Sequence, residues 1–423
     1  MSLGRRLGAG VVDSGLSSAA TMLTSLYAVR FLSLDELGTY AVFFSAFILG
    51  AGVVGSLVHT PAEVAVLDVA GPDRLMSLRV SGGVGAAASI VLGLVLVPGC
   101  VLWLDQVPLL LRLQLAGPAL LLIVLSPAQD HARRLLHSGH LSAHAASLSG
   151  LQVATVAIAL LAGHLSELPT VLVPGAALVT GNLLTLAMAL SLRRRLSTRA
   201  GPGVDLSARS LLREGRWLAA GAAFGHATPF FVLLVLTSLL EIGVVGTVEG
   251  VRVLGQPLLV LGTGLLSVLA PRLYAAGREH DTPQARRAVG SYAAGMMLVT
   301  ATYGLVVAVR WPGNPLPELF PAAYATAGLL PTHLATVAVA VATAPLAALL
   351  IGAGRQSGIF LAQVVALFAS TVTAASALAI GAFAAPASAL ASGLCWGVVA
   401  IALVRRTFRE PVKPPTATST GDE

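Results

Sequence analysis

The sequence predicts an all-α integral membrane protein with about twelve transmembrane helices in two six-helix lobes. Of its 423 residues, 56% are hydrophobic and only 11% are charged, and the mean hydropathy is +0.85. A water-soluble chain of this length would carry more charge on its surface. The charges lie in short clusters between apolar runs of about twenty residues, the length that crosses a bilayer as a helix.

Twelve apolar segments are long enough to span a membrane. A short polar break before Pro108 divides the third from the fourth and favours a tight hairpin. The first segment follows Arg5 and Arg6 without the cleavage site of a signal peptide, so we expect it to remain as helix one. The segments lie at about residues 8–29, 38–58, 80–104, 108–127, 142–163, 171–192, 217–240, 243–270, 288–309, 326–351, 357–380 and 383–404.

The distribution of basic residues predicts that both termini are cytoplasmic. With this orientation, only Arg30, Arg112 and Arg310 of the 26 basic residues fall on the outer side, and Arg252 falls within a span. Cytoplasmic loops of membrane proteins carry such an excess of Arg and Lys. The isoelectric point near 10.1 therefore reflects membrane topology, and we expect no nucleic-acid partner.

The longest inner loop divides the chain into two halves of similar length. It holds seven arginines together with Gly and Pro, and we interpret it as a basic linker. A tail rich in Pro, Thr and charge is typical of a disordered end. The predicted parts are an N-terminal lobe at 1–192, a cytoplasmic linker at 193–216, a C-terminal lobe at 217–405 and a disordered cytoplasmic tail at 406–423.

Weak self-similarity suggests that the two halves are repeats. The segment 36–38 (Glu-Leu-Gly) after the first span matches the segment 241–243 (Glu-Ile-Gly) after the seventh. Two parallel halves, each with an even number of spans, would be related by an axis along the membrane normal, with a central cavity between them. Such an arrangement is typical of transporters.

Polar residues along helix one predict a surface that faces a cavity. A carboxylate that faces lipid is costly, so we expect Asp13 to face a wet cavity or a partner. There it would bind a coupling proton or sodium ion, or contact a substrate headgroup; the alternative is an interfacial carboxylate stabilised by the helix dipole. The polar stripe that follows Asp13 at spacings of three and four comprises Ser14, Ser17, Ser18, Thr21, Thr24 and Ser25, of which Ser17 and Thr21 are candidate site residues.

A second charged group lies in helix eight. Glu249 and Arg252 are three residues apart, and Gln256 continues the same face before Pro257. An internal ion pair is one interpretation, because two charges enter a membrane together at a lower cost than one. In the functional interpretation, Arg252 faces the cavity and binds a phosphate oxyanion through two hydrogen bonds, while Glu249 restrains its guanidinium.

Histidines offer further candidates. His226 in helix seven could shuttle protons, although a buried neutral histidine with a hydrogen bond is the alternative. Four others have metal-like spacing, but neighbouring arginines and a glycine indicate a cytoplasmic turn rather than a zinc site; they are His131, His137, His140 and His144. No motif for a metal, a cofactor, ATP or enzymatic catalysis has supporting context, so we predict a protein that is not an enzyme.

Four short motifs resemble segments of a known family. They lie at 32–40 between the first two helices, at 133–134 with 138–140 after helix four, at 213–217 before helix seven, and at 246–257 in helix eight. In these positions the chain resembles the polysaccharide exporters, including O-antigen flippases, of the multidrug, oligosaccharidyl-lipid and polysaccharide exporter superfamily. The resemblance implies two six-helix lobes in a V shape that move lipid-linked oligosaccharide outward by alternating access.

The expected function is that of a flippase in the bacterial cell membrane. Its cargo would be an isoprenoid-diphosphate-linked oligosaccharide for cell-surface polysaccharide such as lipopolysaccharide, because a polar cleft would replace the water that the headgroup loses in hydrocarbon. Membrane lipids, a polymerase and glycosyltransferases are the expected partners. The alternatives are an ion-coupled multidrug exporter of the same fold, a membrane glycosyltransferase or polymerase, for which the outer loop at 311–325 is short, and a non-transporting component of a polysaccharide assembly complex.

Overall fold

Helices account for nearly all of the described structure. The computed structural model describes residues 3–66, 77–138, 141–196, 207–308 and 328–409, and these ranges contain no strand. The helices are α1 (Leu3–Phe31), α2 (Leu34–Val54), a π-helical turn (Gly55–His59), α3 (Thr60–Ala65), α4 (Leu78–Trp103), α5 (Leu109–Ser138), α6 (Ser142–Leu165), α7 (Val173–Leu196), α8 (Ala208–Leu239), α9 (Ile242–Glu279), α10 (Thr282–Ala308), α11 (Leu329–Gly352), α12 (Gln356–Ala374), α13 (Ala377–Ile380) and α14 (Ala384–Thr407), with short 3-10 turns at Thr170–Leu172 and Gly381–Phe383.

The predicted all-α membrane fold is confirmed. In the described part of the chain, eleven helices are long and apolar enough to cross a membrane. The first predicted span lies in α1, which is not among the eleven because of its polar stripe. At 29 residues α1 is nevertheless about 44 Å long, and it packs between α6 and α9 as a full member of the bundle.

The inner end of α5 differs from the prediction. We expected the span to end near residue 127 and Arg133 and Arg134 to lie in a turn, but α5 continues as a helix through Pro127 to Ser138. Both arginines therefore lie on a helix. The charges of Arg133 and Arg134 end the apolar pattern in the sequence. The helix continues through them because they are paired with carboxylates of neighbouring helices.

Helix α8 begins earlier than predicted, at Ala208, and α7 continues to Leu196, so parts of the segment at 193–216 are helical. The middle of that segment, at 197–206, lies outside the described residues. So do Gly139 and His140 of the second motif, the outer loop at 311–325 and the tail from residue 410 onward.

The helices pack as two groups, and we refer to them as the first and second lobes. Helices α1 to α7 contact one another, as do α8 to α14, whereas the main contacts between the groups are those of α2 with α8 and α9 and of α1 with α9. Helix α2 therefore lies at the interface between the lobes. Its start is fixed by a capping box, in which Ser33 accepts a hydrogen bond from the backbone N–H of Glu36 (3.3 Å) and Glu36 accepts one from that of Ser33 (2.9 Å).

The first turns of α2 and α9 make a reciprocal close contact, which we call the outer seam (Leu34, Gly38, Ile242, Gly246). A Cβ atom on Gly38 would overlap the carbonyl oxygen of Ile242, and one on Gly246 would overlap the carbonyl oxygen of Leu34. Only glycine lets the two backbones approach this closely. The two segments that match in the sequence, 36–38 and 241–243, thus lie against each other across the lobe interface.

Candidate functional site

A polar cavity of about 390 Å³ lies in the first lobe, next to α8 of the second. Its walls come from α1, α2, the π-helical turn, α3, α5, α6 and α7. Single polar residues in otherwise apolar spans turn toward it, as expected where the alternative is lipid. The polar lining residues are Ser17, Thr21, Ser56, Thr60, Ser126, Gln129, Asp130, Arg134, Gln152, Asn182 and His226.

Three of the predicted site residues, Ser17, Thr21 and His226, line this cavity. Asp13 lies one helical turn before Ser17 and is buried. Its Oδ2 atom accepts a hydrogen bond from Nη1 of Arg133 at 2.8 Å, and its Oδ1 atom accepts one from the Ser149 hydroxyl at 2.6 Å. Asp13 does not line the cavity itself. It is linked to the wall through Arg133, which also binds the lining residue Asp130.

An ion-pair network joins α1, α3 and α5 at the end of the lobe that the basic-residue distribution assigns to the cytoplasm. Arg133 binds Asp130 as well as Asp13. Arg134 binds Asp130 (Nη2 to Oδ2, 3.0 Å) and lies near Glu63 (Nε to Oε1, 3.5 Å). Because Asp130 and Arg134 both line the cavity, this network supplies the charge of its wall.

Sequence reasoning missed Glu63 and Asp130. Asp130 stands three and four residues before Arg133 and Arg134, a spacing that pairs charges on a helix, so the signal was present once α5 was extended. Glu63 carries no comparable signal, because its partners come from another helix.

A chain of amide groups forms another part of the cavity wall. The side-chain amide of Gln129 donates to Oε1 of Gln152 (3.5 Å), that of Gln152 donates to Oδ1 of Asn182 (2.6 Å), and that of Asn182 donates to the Ser126 hydroxyl (2.6 Å). These bonds link α5, α6 and α7. Amides and hydroxyls both donate and accept, so this wall can bind a neutral, hydroxylated group.

The second predicted group lies at the lobe interface and is not part of the cavity wall. Arg252 binds Glu249 through Nε (2.7 Å to Oε2) and Nη2 (2.6 Å to Oε1). The amide of Gln256 donates to the Ser25 hydroxyl at 3.3 Å and so joins α9 to α1. This geometry is that of an internal ion pair, while phosphate binding by Arg252 stays a prediction.

An apolar groove of about 330 Å³ lies on the other side of the contact between α2 and α8, and no polar atom lines it. The cavity and the groove are lined by different faces of α2 and α8. Between them, Gly52 packs against the imidazole of His226 so closely that a Cβ atom on Gly52 would overlap the ring. The groove is lined by Leu49, Gly50, Val53, Leu92, Leu96, Ala223, Phe224, Ala227, Phe231 and Leu367.

Of the four histidines with metal-like spacing, His131 and His144 have side chains within the described part of the chain. His131 is fully buried and bonded to Glu63 and Ser81, whereas His144 is exposed. Among the described residues, no group of three or more His, Cys, Asp and Glu side chains is arranged to hold a metal ion.

Solved structures with the same fold are transporters. An inward-facing multidrug resistance MATE family transporter of the MOP superfamily matches with a TM-score of 0.67 and 13% identity, over 94% of this chain and 98% of that one. An outward-facing one matches with a TM-score of 0.65 and 13% identity, over 95% of each chain. The eukaryotic MATE transporter AtDTX14 matches with a TM-score of 0.64 and 16% identity, over 96% of this chain and 98% of that one.

At this level of identity the likeness establishes the fold. The described part of the chain has eleven helices able to cross a membrane, arranged with the architecture of these MATE transporters. No protein-family model matches the chain, and neither does the sequence of any curated protein.

Proposed function

We propose that the protein is a flippase that moves an isoprenoid-diphosphate-linked oligosaccharide across the bacterial cell membrane by alternating access. The observation that carries this proposal is the pairing of a polar cavity with an apolar groove across a single helix contact. A substrate with a polar headgroup and a long apolar tail needs both environments at once.

The cavity wall suits the headgroup. Arg134 is partly exposed there, with 38% of its side chain accessible, and a guanidinium can bind a diphosphate through two parallel hydrogen bonds. The amide chain from Gln129 to Asn182 offers donors and acceptors to sugar hydroxyls. Together these groups would replace water around a headgroup that cannot enter hydrocarbon alone.

The groove suits the tail. It lies between α2 and α4 of the first lobe and α8 and α12 of the second, so separation of the lobes at Gly52 and His226 would join it to the cavity. A tail in the groove and a headgroup in the cavity could then cross together. The outward-facing and inward-facing transporters of this fold provide a precedent for lobe movement.

Arg134→Gln is expected to reduce flipping of a diphosphate-linked oligosaccharide about tenfold or more, because a hydrogen bond to a charged group is worth about 1.5–3 kcal/mol. The measurement is leaflet transfer of a defined lipid-linked oligosaccharide in proteoliposomes, with and without pH or sodium gradients. Arg134→Lys should transfer the lipid at a rate between those of wild type and Arg134→Gln, since lysine keeps the charge but lacks the planar guanidinium. Arg278→Gln removes an arginine from an exposed position at the end of α9 and should have no effect.

Transfer by Arg134→Gln at the wild-type rate with an intact fold would contradict the role assigned to Arg134. Ion-dependent transfer of small cationic drugs in place of the lipid would contradict the flippase and favour the multidrug exporter. A protein that transfers neither, although polysaccharide export in cells depends on it, would be a component of an assembly complex.

A further inference from the structure

We infer that Glu63 and His131 form a proton-binding site, and that the proton bound there controls how firmly Glu63 holds Arg134 away from an anion in the cavity. The first half of this inference concerns the protein alone. The second half rests on the proposed function, because it assumes that the cavity binds an anionic headgroup.

Each ring nitrogen of His131 has a partner within hydrogen-bond distance. The ring is fully buried; Nδ1 lies 2.9 Å from Oε1 of Glu63, and Nε2 lies 2.8 Å from the Ser81 hydroxyl oxygen. That hydroxyl oxygen also lies 2.8 Å from the carbonyl oxygen of Ser77. A serine hydroxyl has one proton to donate, so it serves either the Ser77 carbonyl or the imidazole, and the choice depends on the charge of the pair.

Both charge states of the pair can be fully hydrogen-bonded. When the Ser81 hydroxyl donates to Ser77, it accepts from Nε2–H of His131, and the contact between Nδ1 and Glu63 then needs one more proton, on either group. When the hydroxyl turns to donate to Nε2, a neutral imidazole with its proton on Nδ1 satisfies a Glu63 carboxylate. The two states differ by one proton, which binds at the pair from the aqueous side of the lobe. Rotation of one hydroxyl accommodates the change.

Arg134 competes with His131 for the same carboxylate oxygen. Oε1 of Glu63 lies 2.9 Å from Nδ1 of His131 and 3.5 Å from Nε of Arg134. A proton on the pair neutralises the carboxylate or gives it an imidazolium partner, and either change weakens its hold on Arg134. The guanidinium of Arg134 then retains its ion pair with Asp130, and more of its positive charge is available to an anion in the cavity. By linkage, an anion on Arg134 favours uptake of the proton to the same extent.

The groups around the pair come from every packed element. The π-helical turn contributes His59, whose ring stacks on that of His131 with centroids 4.4 Å apart. Helix α4 contributes Ser77 and Ser81, and α8 contacts the turn through Gly215. The charged or titratable residues facing the pair or nearby on those elements are His59, Asp130, Arg133 and Arg134, with Arg79, Arg213 and Glu214 exposed to solvent.

Infrared difference spectroscopy between pH 5 and 8, the range in which histidine charge changes, tests the site without any substrate. Purified wild-type protein should show imidazole protonation bands with a component from the buried ring, which is lost in His131→Gln and altered in Glu63→Gln. His144→Gln, which removes an exposed histidine at the start of α6, should leave that component in place. A His131→Gln spectrum identical to wild type would overturn the inference. If His131→Gln does not fold, the nearly isosteric Glu63→Gln decides in the same way.

Flipping assays at the two pH values test the coupling to Arg134. Wild-type transfer of the lipid-linked oligosaccharide should change about fivefold or more across this range, the usual lower size of a coupling between two sites. Glu63→Gln should transfer at a rate that no longer depends on pH. Equal pH dependence in both proteins would overturn the coupling. No transfer by wild type, with the infrared result intact, would count against the proposed function instead.

Discussion

Asp13→Asn is expected to lower the free energy of unfolding by about 3 kcal/mol. Breaking a buried ion pair by removing one partner costs about 3–5 kcal/mol, and we expect the lower value because Arg133 keeps Asp130. The carboxylate of Asp13 is 4% exposed and joins α1 to α5 through Arg133 and to α6 through Ser149. Titration of the purified protein with SDS in mixed micelles would measure the loss.

A second substitution shows whether Asp13→Asn destabilises the protein by loss of the ion pair with Arg133 or by a change in packing. In a cycle with Arg133→Gln, the double variant should lose less than the sum of the single losses, because the two side chains interact directly. Asp105→Asn, at an exposed carboxylate in the outer hairpin, should stay within about 0.5 kcal/mol of wild type. If Asp13→Asn also stays within that range, the ion pair contributes no measurable stability.

Gly246→Ala is expected to open the outer seam and to destabilise the protein by about 1–3 kcal/mol or more, the cost of overpacking. The new methyl group would overlap the carbonyl oxygen of Leu34, and a backbone atom cannot rotate away as a side chain can. Helices α2 and α9 must therefore move apart. Spin labels at exposed positions Asp105 and Ser376, on the outer ends of the two lobes, should report a longer or broader distance.

The matched control is the same substitution in a helix with open space. A Cβ atom on Gly221 of α8 would meet nothing within 4 Å, so Gly221→Ala should stabilise the protein by about 0.5–1 kcal/mol. Opposite signs for the two variants would attribute the effect to the seam rather than to glycine replacement. An unchanged label distance in Gly246→Ala would show that the seam tolerates a side chain.

Helical periodicity predicted the parts of the site that depend on one helix. Ser17 and Thr21 line the cavity because their spacing in α1 fixes their face, whatever packs against it. The pairing of Asp13 with Arg133 could not be predicted from the sequence, because Arg133 lies after the end of the hydrophobic pattern. Gln152 and Asn182 are single polar residues in apolar spans. Each needs a partner, but the sequence does not say that they bond to each other.

The direction in which the Glu63 side chain points depends on the one extra residue in the π-helical turn that precedes it. A π-helical turn holds one residue more than an α-helical turn, and each added residue rotates the rest of the helix by about 100°. The turn at Gly55–His59 thereby aims the carboxylate at α5; a continuous α-helix would aim it elsewhere. Deletion of Leu57 from this turn would misdirect Glu63 although it removes no side chain that lines the cavity. When other chains of this fold are compared, an insertion or deletion near position 57 is therefore as informative as a substitution at Glu63.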